Sequence, residues 1–245
     1  MFHMGSTISP AVGLGHACAV RLDGEPFCFL SDGLEFDDGQ ANPPPGSFTG
    51  LSAGAYNTCG IDDAGALVCW GAGRGEGTEH DVGQSLPPAG AFTALGLGWL
   101  NGCAIDDAGA LQCWGADDEG QSEPPAGTYS AVSCGAAHCC ALDTAVGVSC
   151  WGDDDAGQST PPADVTWVEV SAGGDHTCGI DDGGFIRCWG EDATGDIPAM
   201  TARETSHLRA RWAGRRGLPS TALPWSSYAP ATANPRTSLA PPPAW

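Results

Sequence analysis

Apolar residues come along this chain in short runs that alternate with polar ones, and the alternation is clearest over residues 57–71, NTCGIDDAGALVCWG. With a two-residue period, Cys59, Ile61, Leu67 and Cys69 fall on one face, and Val68 and Trp70 on the other. The stretch folds back on itself around Asp63-Ala64-Gly65, a three-residue loop with glycine at its last position, where the backbone turns left-handed. This predicts a β-hairpin that is apolar on both faces and therefore covered on both. A lone hairpin is marginal in water, so small sheets are expected to stack face to face.

The same pattern recurs. It stands at 173–190 (GGDHTCGIDDGGFIRCWG, loop Asp182-Gly183-Gly184), at 101–115 (loop Asp107-Ala108-Gly109) and at 138–152, where the loop glycine is displaced to Gly147. A degenerate copy at 16–30 has Phe29-Leu30 in place of Trp-Gly. Between hairpins runs a second motif, at 39–44 (GQANPP), 83–88 (GQSLPP), 120–125 (GQSEPP) and 157–162 (GQSTPP). Paired prolines exclude a central strand and mark turns. A β-like run follows each one, at 47–54, 91–98, 128–135 and 166–173. Each unit thus offers at least three strands in roughly 38 residues, a repeat length typical of propellers and solenoids. Stacking of both faces favours the propeller, with a β-solenoid as the alternative.

Composition sharpens this in two ways. There is no lysine, and residues 1–198 carry 29 acids against Arg21, Arg74 and Arg187, a net charge of −26. So acidic a body repels phosphate backbones, which argues against a nucleic-acid partner. Residues 199–245 reverse the sign, with six arginines against Glu204, and they lack both glycine turns and cysteine. They read as a disordered tail or the product of a shifted frame, and the abrupt charge reversal favours the second. Residues 1–11 read as a fragment edge without the basic start and apolar stretch of a signal peptide, and 12–198 as the repeat domain. No apolar run is long enough to span a bilayer.

The cysteines point to a compartment. Cys18/Cys28, Cys59/Cys69, Cys103/Cys113, Cys140/Cys150 and Cys178/Cys188 share one spacing, and the hairpin register sets each pair directly cross-strand. Opposed Cα atoms lie about 4.5–5.5 Å apart, within reach of a disulfide. Such a bridge contributes roughly 2–3 kcal/mol and persists in oxidising surroundings, so an extracellular or cell-surface protein is expected. Zinc is disfavoured, because no second thiol pair stands at knuckle spacing. Cys134 and Cys139 fall outside the pattern: they bridge each other, or Cys139 competes with Cys140 for Cys150.

The combined unit resembles the repeat of the regulator of chromosome condensation family. The matching residues are His16, His138 and His176 before the hairpin, Trp70, Trp114, Trp151 and Trp189 (each followed by glycine) after it, and Gln84, Gln121 and Gln158 in the turns. The short period is similar to that of the compact bacterial members, the propeller-type β-lactamase inhibitor protein among them. The resemblance implies an all-β propeller of seven blades, of which five units are visible here, and the cysteine pairs are an addition to the family pattern. It brings guanine-nucleotide exchange on a small GTPase as an alternative function, although no inserted wedge hairpin is present to carry it.

The candidate chemistry is sparse. The hairpin position read by His16, Asn57, Asn101, His138 and His176 suits a structural hydrogen bond better than catalysis, since Asn replaces His. The acidic turns Asp117-Asp118-Glu119 and Asp153-Asp154-Asp155 offer oxygen ligands, and calcium is the one cofactor they bring into view, but they lack the spaced pattern of a calcium loop. Asp62-Asp63, Asp106-Asp107 and Asp181-Asp182 recur at the hairpin tips and form a candidate rim for a basic protein partner. The reading is therefore a non-enzymatic protein-binding propeller, acidic and disulfide-stapled, able to self-associate through open blade edges. A propeller enzyme with a central-channel site is the second alternative.

Overall fold

A computed structural model describes residues 10–31, 37–75, 81–145 and 147–191. The tail at 199–245 and most of the N-terminal edge at 1–11 lie outside them, as does part of the acidic insertion at 73–82. The described residues form five antiparallel three-stranded sheets, or blades, in chain order. Blade 1 holds β1 (Ala11–Val12), β2 (His16–Val20) and β3 (Pro26–Leu30); blade 2 holds β4 (Phe48–Ala53), β5 (Asn57–Asp62) and β6 (Leu67–Gly71). Blade 3 holds β7 (Phe92–Leu97), β8 (Asn101–Asp106) and β9 (Leu111–Gly115). Blade 4 holds β10 (Tyr129–Cys134), β11 (His138–Asp143) and β12 (Val148–Gly152); blade 5 holds β13 (Trp167–Ala172), β14 (His176–Asp181) and β15 (Ile186–Gly190).

Turn chemistry fixes the register. In blade 2 the Asp62 amide donates to the Ala66 carbonyl, while the Asp62 carboxylate accepts the amides of Ala64 and Ala66, both at 2.8 Å. Gly65 takes the left-handed place in the loop (φ +82°). Counting back from that hydrogen-bonded pair, Cys59 and Cys69 oppose each other at a non-hydrogen-bonded position, where strands approach most closely. Blade 4 differs at its tip: Gly147 is no loop residue but lies opposite Asp143, whose carboxylate accepts its amide. The glycine of Trp-Gly is needed for a different reason. Gly71 has φ +100°, and a Cβ there would stand 2.5 Å from the Tyr56 carbonyl oxygen.

All five hairpin cysteine pairs are joined: Cys18–Cys28, Cys59–Cys69, Cys103–Cys113, Cys140–Cys150 and Cys178–Cys188. One expectation is corrected. The Cα atoms stand 4.0–4.1 Å apart, closer than the spacing of an unbridged cross-strand pair, because the bond draws the strands together. The pairing holds even in degenerate blade 1, where Cys28 on β3 faces Cys18 on β2 although Phe29 follows it instead of tryptophan. The two ends of that bridge differ in environment: Cys18 is buried, whereas Cys28 is half-buried at the margin of the seam with blade 2.

The alternation read from the sequence is the packing. The disulfide face of each blade meets the tryptophan face of the next: Cys18 packs with Phe48 and Trp70, and Cys59 with Phe92, Leu97 and Trp114. Cys103 and Ile105 pack with Tyr129 and Trp151, and Cys140 and Leu142 with Trp167 and Trp189. A buried indole removes about 200 Å² from water, roughly 5 kcal/mol as an upper value, which exceeds what one hairpin disulfide contributes. At the two ends of the array these faces are less covered. Phe29, in the tryptophan place of blade 1, is 66% exposed, and Cys178 of blade 5 is half-buried among the described residues where Cys18, Cys59, Cys103 and Cys140 are buried.

The first strands β4, β7, β10 and β13 lie against one another on the inner side of the array. There the Ser52 hydroxyl oxygen accepts the Leu97 amide (3.0 Å) and Ser133 accepts the Ala172 amide (2.9 Å), so the inner strand edges are tied across blades. No helix among the described residues is long and apolar enough to cross a membrane.

Candidate functional site

The recurrent Gln, Trp and His positions converge on the seams between blades. The Gln84 side-chain oxygen accepts the Val82 amide at 3.0 Å, and Gln121 and Gln158 accept the amides of Glu119 and Ala156 in the same way. That bond closes the turn and aims the glutamine's own backbone carbonyl at the next blade. The carbonyls of Gln84, Gln121 and Gln158 accept the indole N–H groups of Trp114, Trp151 and Trp189, each at 2.9 Å. Gln40 holds Trp70 identically, the member of the GQ-x-x-PP series whose role its neighbours already signal.

The histidines extend this network. His16 Nε2 lies 2.9 Å from the Thr58 hydroxyl of blade 2, and Thr58 donates to the Gln40 carbonyl at 3.0 Å. His138 Nε2 lies 2.7 Å from Thr177 of blade 5, which donates to the Gln158 carbonyl at 3.1 Å. Each threonine has one proton and spends it on the glutamine carbonyl, so each His must donate from Nε2 and carry a bare Nδ1. Both Nδ1 atoms are indeed buried without a partner. His176 holds the same place in blade 5, the last described blade, and is half-buried. The Asn-for-His exchange now has a cause: blades 3 and 4 present Gly102 and Cys139 where blades 2 and 5 present Thr58 and Thr177. Asn57 instead reaches the Gln84 carbonyl (3.0 Å), and Asn101 the Cys139 sulfur (3.1 Å). Burial depresses the basicity of both bonded histidines, His138 to a pKa of about 4, against weaker opposing pulls from Asp175 and Asp153. These rings are spent on interblade bonds in separate seams.

At the hairpin tips only half of the acidic pairs face outwards. Asp106 accepts the amides of Ala108 and Ala110, the Ala110 bond being the main reason its pKa is lowered. Asp181 is buried, which opposes ionisation, yet the Phe185 amide and the Arg187 guanidinium (2.8 Å) hold its pKa below the usual value. Asp62, Asp106 and Asp181 are thus turn caps, whereas Asp63, Asp107 and Asp182 are exposed. The acidic turns after Trp-Gly are also internally bonded: Asp117 caps the Ser122 amide, and Asp154 accepts both the Ser159 amide and the Thr160 hydroxyl.

The opposite end, where first and second strands join, is built differently. The Ala55 amide donates to the Trp99 carbonyl, Trp99 to Gly135, and Ala136 to Gly174, a chain of 3.0–3.1 Å bonds linking the turns of four blades. Five tryptophans of the described residues are buried, but Trp99 on this tied turn is 51% exposed, and Leu14 occupies the equivalent place in blade 1. The third strands exit at the same end, bringing exposed Asp117, Asp118, Glu119, Asp154 and Asp155 alongside. Trp99 was not among the sequence candidates. Its signal is that it replaces a small turn residue (Ala55, Ala136, Gly174) and lies outside the Trp-Gly series.

The remaining cysteines bridge each other, Cys134 to Cys139 from β10 to β11, which leaves Cys140 to Cys150. The sulfurs of Cys103, Cys134 and Cys139 lie within 4.8 Å of one another, but each is held in a disulfide and offers no thiolate to a metal.

The family profile of the Regulator of chromosome condensation (RCC1) repeat matches residues 167–195, which begin at β13 and run through blade 5. No curated protein matches at the level of sequence. Among solved structures, the ectodomain of the receptor kinase CR4 from Physcomitrella patens is 25% identical with a TM-score of 0.61, over 80% of this chain and 56% of that one. Prp20p from Saccharomyces cerevisiae is 15% identical with a TM-score of 0.60, over 77% and 58%, and Prp20 bound to Kap60 gives 16% and 0.62, over 78% and 58%. The chain thus spans less than two thirds of each of these structures. Residues 167–195 match the regulator of chromosome condensation repeat, the other four blades are similar to that blade in hairpin and turn chemistry, and the described residues share the fold of these propellers.

Proposed function

We propose that this chain is an extracytoplasmic protein-binding propeller that engages a basic partner through the end carrying Trp99. The observation that carries the reading is the exposure of Trp99 on a turn tied into its neighbours by backbone bonds. An aromatic side chain exposed on a turn whose backbone is fixed suits the anchor of a protein interface, because the turn itself need not be ordered on binding. The acids of the neighbouring turns supply a negative surround that steers a basic partner and raises its association rate. Six disulfides with no free cysteine support an oxidising location, and so does the likeness to a receptor ectodomain. His16, His138, the recurrent glutamines and half of the tip acids are consumed by the scaffold, which supports binding rather than catalysis. Exchange on a small GTPase rests on likeness of fold to yeast Prp20p, whose binding to Gsp1p and histones belongs to that protein.

The test is to screen the purified protein against the secreted and surface proteins of its source cell. Each hit is then remeasured with Trp99→Ala and in raised salt. Loss of affinity in the variant at unchanged thermal stability, together with slower association in salt, supports the reading. A partner that binds Trp99→Ala as well as the parent, or binds through the Asp63–Asp107–Asp182 tips, overturns it.

A further inference from the structure

All six disulfides lie within a single blade, five across hairpins and one between the first two strands of blade 4. Two of them touch across a seam. Cys103 Sγ of blade 3 lies 3.7 Å from Cys139 Sγ of blade 4, with Cys134 Sγ in the same cluster. Cys139 holds the place that Thr58 and Thr177 hold in blades 2 and 5, the one that faces the preceding blade. Cys103, Cys134 and Cys139 are buried, whereas Cys113, the other end of the blade 3 bridge, is half-buried on the outer strand β9.

We propose that this cluster is a thiol–disulfide exchange site that moves a crosslink from within blade 3 to the seam between blades 3 and 4. The entry point is Cys113, the one residue of the two touching bridges that is not buried. One thiolate of a small dithiol attacks Cys113 Sγ, the Cys103–Cys113 bond breaks, and its electron pair leaves on Cys103 as a thiolate. That thiolate is buried among apolar groups, where charge is costly, and its nearest disulfide sulfur is Cys139. It attacks Cys139 Sγ, forming Cys103–Cys139 and expelling Cys134 as a thiolate that takes up a proton. The second thiol of the dithiol then closes on the mixed disulfide and releases Cys113 as a thiol. The dithiol ends oxidised, and its two protons end on Cys113 and Cys134.

With Cys134 also near Cys103, the attacking sulfur stands beside the Cys134–Cys139 bond axis rather than along it. Rotation of the Cys103 side chain must therefore precede the second step, and cutting its bond to Cys113 is what permits it. The product is the one covalent tie between blades in the described residues, so a reducing event that loosens one hairpin fastens a seam. This inference stands apart from the proposed binding function and uses none of its residues.

The experiment treats the intact protein with limiting dithiothreitol, alkylates all free thiols and maps the disulfides by mass spectrometry after cleavage at acidic residues. Asp106 and Asp107 separate Cys103 from Cys113, while no acid lies between Cys134 and Cys139. The expected species joins the Cys103 peptide to the Cys134–Cys139 peptide, with Cys113 and one further thiol alkylated. Alkylation of Cys103 and Cys113 together, with Cys134–Cys139 intact, overturns the proposal. Cys113→Ser provides a second reading without reductant: Cys134 becomes the alkylated residue if exchange occurs, and Cys103 if it does not. Failure of that variant to fold leaves the result on the parent protein decisive.

Discussion

Lowering the pH should weaken the seam between blades 4 and 5 in particular, and replacing His138 by Asn should remove that sensitivity. His138 is buried with its Nε2 proton donated to Thr177 and its Nδ1 without a partner. Protonation would place a second N–H where nothing accepts it and a full charge where the loss of solvation outweighs the pull of Asp175 and Asp153. Its folded pKa is lowered to about 4 from the 6.5 of the exposed ring. The unfolded chain therefore binds this proton more readily between those values. Stability from neutral His138 is fully present above pH 6.5 and is lost as the pH falls towards 4, roughly 3 kcal/mol in all. Carboxylates also lose their native bonds on acidification, so the parent alone cannot report His138. Asn occupies this position in blades 2 and 3 and does not titrate. The assay is urea unfolding of parent and His138→Asn between pH 7.5 and 4.5 at constant ionic strength, values chosen to bracket about two pKa units. The variant should begin less stable, because Thr177 loses its histidine, and the gap should close by roughly 2–3 kcal/mol as the pH falls. Parallel stability curves would refute the reasoning, as would a His138 ring resonance titrating near 6.5.

Other outcomes follow from the same geometry. Denaturing thiol titration without reductant should find no free cysteine among the twelve, since all are paired; a reactive Cys134 or Cys139 in the unreduced protein would contradict the assigned pairing. Gly184→Ala should cost only about 1–2 kcal/mol, the penalty of a left-handed residue, because open space surrounds its Cβ position (φ +78°). Gly71→Ala should cost clearly more, because its Cβ would meet the Tyr56 and Asn57 backbone at 2.5 and 2.8 Å; equal midpoints for the two variants in urea would argue against the close approach. Trp114→Phe should cost roughly 1–2 kcal/mol, since the Gln84 carbonyl keeps the Asn57 amide as a donor when the indole is lost.

Much of this fold is written in local pattern. Hairpin register follows from the cysteine spacing and the glycine three places after the capping aspartate, as at Asp62 and Gly65, so strands and disulfides could be read pair by pair. Even Cys28, in the copy that lacks Trp-Gly, keeps its partner because the spacing alone sets it across from Cys18. The two-faced alternation of Cys59 and Trp70 told that both faces are covered. What pattern alone does not carry is pairing between units. His16 and Asn57 look interchangeable along the chain, and only the neighbouring blade shows that each answers a different partner, Thr58 in one seam and Gly102 in the next. The Cys134–Cys139 bridge is hard to read for a different reason: it lies within one blade, but its separation of five is repeated by no other pair. The tip acids misled in part because a carboxylate that caps a turn and one that faces a partner are identical in sequence. Trp99 was overlooked because its exposure depends on a turn bonded to two other blades.

Covalent and non-covalent order are divided cleanly in this architecture. The disulfides hold each blade flat against its own unfolding, each contributing roughly 2–3 kcal/mol, but among the described residues none ties one blade to another. Cohesion of the array rests on the apolar seams and on the bonds that cross them: indole to glutamine carbonyl, histidine to threonine, and inner serine to strand amide. Stress should accordingly separate the blades before it melts them. Under acid, the seam that contains His138 should open while the Cys140–Cys150 and Cys178–Cys188 hairpins keep their register. Hydrogen exchange at pH 4.5 would then show faster exchange at Ala172, whose amide crosses that seam to Ser133, than at the hairpin amides Asp143 and Asp181. Uniform exchange across these amides would mean that blades and seams unfold as one unit, and the division of labour between sulfur and seam would be wrong.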